Sequence, residues 1–291
     1  MAEQNPRQGV LLMLAALFLF ACLDATAKHL SHTYPIPLLV WARYTLHCLL
    51  MVVFLAPSLR WRLLATEKPV SQVVRALMLL GTTGFAMASF RLMPLAEATA
   101  VIYVTPLAVS LLAGPVLGEQ VGPVRWLAVV AGFAGVLAIA RPGGDLSAAG
   151  VAFALAAAAC NTVYQLQTRL LSPGESPLTL LFYTALVGML AMTMALPWIA
   201  RGPLPTPTDS LLIATLGLYG GLGHYLLIRA FRVTPASTLS PFSYSQLIWA
   251  TLLGWLVFGN LPDAAAALGM AVIAASGLAV AVAGARIART A

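Results

Sequence analysis

Ten apolar stretches, each about twenty residues long, follow one another along this chain with gaps of a dozen residues or fewer. They run Gly9–Ala27, Ile36–Pro57, Val70–Phe90, Pro94–Gly118, Val121–Ala140, Ala148–Leu171, Pro177–Ala200, Leu211–Phe231, Pro235–Phe258 and Pro262–Ala285. Only helices and closed barrels satisfy every backbone group inside a bilayer, and stretches of this length read as helices. The 291 residues are 9% charged against 60% hydrophobic, too few charges to coat even one soluble globule, so lipid must cover the outside. The expected fold is an all-α integral membrane protein of ten helices. The gaps leave no room for a soluble domain.

The net charge of +7 comes from single basic residues between apolar runs, without a patch or stacking aromatics, so nucleic acid is not an expected partner. With the N-terminus cytoplasmic, 11 of the 16 Lys and Arg residues fall on the inner side and 5 on the outer, which places both termini inside. The expected location is the inner (plasma) membrane, crossed many times. Arg7 and the run up to Ala25-Thr26-Ala27 resemble a cleavable signal peptide, but Asp24 interrupts the run and the repeat below needs it. Cys22, Cys48 and Cys160 lack metal-ligand spacing and read as free thiols.

The two halves match at a constant offset of 141 residues: Gly9 with Gly150, Lys28 with Arg169, Phe90-Arg91 with Phe231-Arg232, Pro94 with Pro235, Tyr103 with Tyr244, and Gly118 with Gly259. The expected units are 1–145 and 146–291. Five crossings per unit is odd, so the second unit enters the membrane from the opposite side and the repeat is inverted. Two halves able to exchange conformations provide two states of similar energy around a shared central site, the arrangement alternating access needs.

Phe90-Arg91-Leu92-Met93-Pro94-Leu95-Ala96-Glu97-Ala98-Thr99-Ala100, then Pro106, Gly118-Glu119, Trp126 and Gly132 to Gly135-Val136 form one ordered series. In that order and spacing it resembles the ten-helix drug/metabolite transporter superfamily, in its EamA-type branch, over nearly the whole chain. The second copy departs from it, with Asn260 in place of the acid and Leu247 in place of the proline. Within the superfamily the chain looks most like YddG-type exporters of aromatic amino acids and related metabolites. The resemblance implies export of small organic metabolites; a broad exporter of quaternary cations is the alternative. Proton coupling, and a monomer or a homodimer, stay open at this level.

Ionisable groups at membrane depth face a cavity or a partner. Asp24 is either a cavity charge or the partner of Lys28 one turn on, and Glu97 either pairs with Arg91 as a gate or favours its helix start. Arg43 reads as a snorkelling side chain, His47 as packing, and His224, after Gly220-Gly221 and Gly223, as either a site residue or packing. Tyr103 and Tyr244, as repeat mates, are expected on opposite walls of one cavity. Tyr164 is the third expected aromatic wall, with Asn161, Gln165, His224, Ser243 and Gln246 as polar contacts for a planar amphipathic ligand. Gly114 with Gly118 and Gly217 with Gly221 have the spacing of close helix contacts.

An enzyme fails on inventory: there is no His-Glu-x-x-His, no Gly-x-Ser-x-Gly with a supporting histidine and no pair of mid-span aspartates. No P-loop supplies nucleotide energy, and no repeated filter loop marks a channel. The remaining partners are the bilayer and a small-molecule substrate, with no cofactor or metal implied.

Overall fold

A computed structural model of the chain describes residues 6–59, 63–117, 123–141, 146–199, 202–234 and 239–290. The first half holds α1 (Pro6–Ser31), α2 (Ile36–Leu59), α3 (Pro69–Leu92), α4 (Leu95–Ile102), α5 (Thr105–Leu117) and α6 (Pro123–Ala140). The second holds α7 (Ala148–Leu171), α8 (Pro177–Ile199), α9 (Pro207–Val233), a 3-10 turn (Ser240–Tyr244), α10 (Ser245–Phe258) and α11 (Ala264–Thr290). Proline opens five of these elements, α1, α3, α6, α8 and α9, and stands one residue into three more, α2, α5 and the 3-10 turn. At a helix start its missing N–H would have had no partner anyway.

Eight helical stretches among the described residues are long and apolar enough to cross a membrane, one of them combining α4 and α5; the shorter apolar helices Trp126–Ala140 and Phe242–Phe258 complete the ten. The fourth helix of each half is broken, where an unbroken span was expected. In the first half Pro106 removes the N–H that would have met the Ile102 carbonyl, and the Thr105 hydroxyl takes that carbonyl instead at 2.7 Å. Tyr103 sits at this break, and its repeat mate Tyr244 closes the 3-10 turn at the other. Gly259 ends α10 in the left-handed region, at a φ of 69°, where its N–H and that of Asn260 reach back to the Trp255 and Gly254 carbonyls. Gly118 and Pro235, on which part of the sequence repeat rests, and Glu119 of the family series lie outside the described residues.

Packing follows the inverted repeat. α1 lies along α9 as α7 lies along α3, and α2 with α8 and α6 with α11 form self-related pairs. A single glycine contact shows the relation at atomic scale. A Cβ on Gly9 would run into the Thr234 side chain beyond α9; a Cβ on its mate Gly150 would press on Leu92 and Met93 at the end of α3. Met93 and Thr234 are themselves 141 residues apart. The chain is therefore ten transmembrane helices in two inverted five-helix repeats.

The expected close contacts are partly realised. A Cβ on Gly217 would strike Leu46 and the His47 backbone, so α2 and α9 meet there without an intervening side chain. Gly135 and Gly269 bring α6 and α11 still closer, each sitting against the other's carbonyl oxygen.

Candidate functional site

Between the halves lies a cavity of about 190 Å³. α1 contributes Phe20, Leu23 and Asp24, α2 contributes Arg43, and α3 contributes Thr82, Thr83 and Phe90. Thr99, Ile102 and Tyr103 come from the broken fourth helix, His224 from α9 and Gln246 from α10. The polar groups sit within apolar spans, where lipid could not solvate them, so their facing one space has a physical cause.

Asp24 is the acid of this cavity, and Gln246 Nε2 donates to its carboxylate at 3.3 Å, joining the two repeats. Arg43 stands in the same space with its guanidinium 5.8 Å from the Tyr44 ring. It does not snorkel. Its side chain turns to the polar groups of the cavity, with Asp24 and Gln246 among the lining. The His224 ring stacks on His47 at 5.9 Å and 7°, and meets Phe20 at 4.9 Å. His47 is thus a packing residue, but its packing partner is a cavity residue.

The paired alternatives for the acids resolve into different contacts. Lys28, 6% exposed, turns away from Asp24 and donates to the Phe90 and Met93 carbonyls, the latter at 2.8 Å. These carbonyls end α3, where a cation complements the unpaired acceptors. Glu97 lies buried in the first turn of α4 and feels the charge of Lys28; no Glu97–Arg91 ion pair forms among the described residues.

Of the eight residues expected at the site, Tyr103, His224 and Gln246 line the cavity. Tyr244 does not stand on an opposite wall: it meets Tyr103 edge-on at 5.9 Å, and its hydroxyl is packed against Gly277. Tyr164 faces another way, with the Arg75 guanidinium 5.2 Å from its ring. Arg75 is 1% exposed and bonds the Leu180 carbonyl and the Thr184 hydroxyl, which gives the buried cation oxygen ligands in place of water. Asn161, Gln165 and Ser243 are half-buried outside the cavity lining. The sequence reasoning missed Phe20, Phe90, Thr82, Thr83 and Thr99. A signal existed for one pair, since Gly81-Thr82-Thr83-Gly84 is a polar, small-residue break in the middle of an apolar helix.

An inverted ten-helix membrane repeat around a polar, aromatic-lined space fits a transporter of small molecules. Sequence comparison agrees with this class. The chain belongs to the EamA-like transporter family, whose model matches residues 7–141 and again residues 148–282. It is 29% identical to a riboflavin transporter of Vibrio cholerae, over 94% of this chain and 93% of that one. It is 27% identical to an S-adenosylmethionine uptake transporter of Rickettsia prowazekii, over 72% of this chain and 71% of that one. A solved crystal structure at 20% identity covers 97% of this chain and 99% of its own, with a TM-score of 0.68, and shows the same fold. The protein is a multi-pass membrane transporter of a small metabolite.

Proposed function

We propose that the chain carries a planar aromatic metabolite with a cationic or zwitterionic end across the inner membrane by alternating access. The observation behind this reading is that Asp24 and Arg43 face the same cavity as Phe20, Phe90 and Tyr103. A carboxylate selects an ammonium or sulfonium, a guanidinium selects a carboxylate, and ring faces hold a planar group or a cation. Gln246, His224 and the threonines add neutral hydrogen bonds that fix orientation. The repeats 1–145 and 146–291 each supply a wall and exchange conformations as the cavity changes sides. Both termini are cytoplasmic in this reading, from the 11-to-5 distribution of basic residues.

The relatives support a small-metabolite substrate, and the name of one of them bears on direction. Riboflavin offers a planar ring system without a zwitterion, and S-adenosylmethionine offers a ring, a sulfonium and an amino-acid end. The second matches a cavity holding both charges more fully. Export of amino acids was the expectation from the family resemblance. A relative named for uptake supports inward movement instead, and alternating access runs either way with the gradient.

The test is uptake and counterflow in proteoliposomes, with radiolabelled aromatic amino acids, S-adenosylmethionine, riboflavin and a quaternary ammonium ion, with and without a pH gradient. Saturable transport of a zwitterionic or cationic aromatic compound is expected, with riboflavin slower. Transport of riboflavin alone would remove the charge-based reading.

A further inference from the structure

We propose that two hydrogen-bonded latches, Tyr34 with Asp209 at one membrane face and Thr66 with Glu175 at the other, are the symmetry-related gates of the transport cycle. The inference rests on the alternating-access reading above. The face from which α1 starts is called the near face, and the face where it ends the far face.

At the far face, Tyr34 lies in the α1–α2 connection and is 3% exposed. Its hydroxyl donates to Asp209 Oδ2 at 2.6 Å and accepts the Thr206 N–H at 3.3 Å, at the start of α9. Asp209 is also held by the Thr206 hydroxyl at 2.8 Å, which aims the carboxylate at the phenol. At the near face, the Thr66 hydroxyl, just before α3, donates to Glu175 Oε1 in the α7–α8 connection. Beside it the Tyr183 hydroxyl of α8 donates to the Leu64 carbonyl at 3.0 Å.

These are one arrangement used twice. Tyr34 and Glu175 are 141 residues apart, and the repeat mate of Asp209 is Lys68, two residues from Thr66. Each latch ties the first connection of one repeat to the start of the third helix of the other, and both stand at the ends of the self-related α2–α8 pair. The chemistry is reversed between them: at the far face the connection carries the hydroxyl and the helix start the acid, and at the near face the connection carries the acid. Each bond crosses from one repeat to the other, so opening the cavity to a face along this edge requires breaking the latch there. With both closed the two repeats are tied together at both ends of this edge. A hydrogen bond to a carboxylate is strong enough to bias two states of similar energy, and weak enough to break in each cycle.

The experiment places Thr82→Cys in the cavity of the full chain, with Cys22, Cys48 and Cys160 replaced by serine. Labelling by a membrane-impermeant maleimide is then measured from each face of oriented vesicles. Tyr34→Phe, which removes one oxygen, should raise labelling from the far face roughly three- to tenfold and lower it from the near face. Thr66→Val should do the reverse. Asp209→Ala and Glu175→Ala, which remove the acceptor, repeat each test from the other side of the bond, and size-exclusion elution checks folding. Labelling unchanged in all four variants, or raised from the same face by both kinds, would overturn the proposal. Counterflow by the unaltered protein is run in parallel; if that is absent, the alternating-access reading fails, whereas normal counterflow with unmoved labelling removes the latches alone.

Discussion

Gln246 Nε2 and the Asp24 carboxylate, 222 positions apart, meet at 3.3 Å across the interface of the two repeats. The contact is long for a charge-assisted bond, which normally lies near 2.7–2.9 Å. A carboxylate so loosely held retains most of its capacity for a ligand.

From this, Asp24→Asn is expected to lower transport of a cationic or zwitterionic substrate about tenfold or more, the worth of one charge-assisted hydrogen bond. A neutral aromatic substrate should lose far less, because the amide oxygen put in place of the carboxylate would still accept from Gln246. Uptake of the two substrate kinds in parallel proteoliposomes measures the difference, and equal losses would place Asp24 outside recognition.

Tyr103→Ala and Tyr244→Ala should separate, although the two are repeat mates. Tyr103 presents to the cavity, so its removal should weaken binding by about 1 kcal/mol with little loss of stability. Tyr244 packs behind it against Gly277, so its removal should lower thermal stability first. Binding isotherms and melting curves on both purified variants decide this.

Gly269→Ala should destabilise the α6–α11 contact by roughly 1–3 kcal/mol. The added Cβ would stand 2.6 Å from the Gly135 carbonyl oxygen and 2.8 Å from Ile139 Cγ1, and backbone cannot swing aside as a side chain can. A lowered melting temperature in detergent is the expected result; an unchanged one would mean the helices separate freely.

Asp263, before α11, gives the protein an acid-sensitive joint. The Ala266 N–H at 2.8 Å, and then Arg141, hold its carboxyl below the usual carboxylate range. A lowered folded-state value adds stability above the ordinary carboxyl value near 4, and that stability is lost as the pH falls through the lowered value. The melting temperature should therefore decline on acidification below about pH 4, and less steeply in Asp263→Ala. Both side chains are about half exposed, so the effect should be small and should shrink in salt.

The fold was largely legible in the chain because its causes are local. Span length, proline at helix starts and the 141-residue offset act through neighbouring residues and survive any rearrangement of the helices. Gly9 and Gly150 illustrate this: their match in sequence became matched contacts with Thr234 and Met93. The break at Tyr103 was half visible, since Pro106 announced a missing donor but not that Thr105 would compensate.

What the residues alone determined is that this chain lives in a bilayer, as ten helices in an inverted repeat, with polar groups that lipid cannot solvate. Tertiary structure decided which of those groups meet. Arg43 and Arg75 are both arginines about two turns inside a helix, yet one faces the cavity and the other is enclosed by Thr184, Leu180 and Tyr164. Tyr103 and Tyr244 occupy equivalent positions, yet Gly277 accepts only one of them. The rotation of each helix about its axis sets these outcomes. Helical rotation depends on which small residues allow close approach across the interface, and that is a property of two surfaces together, which no single stretch of sequence contains.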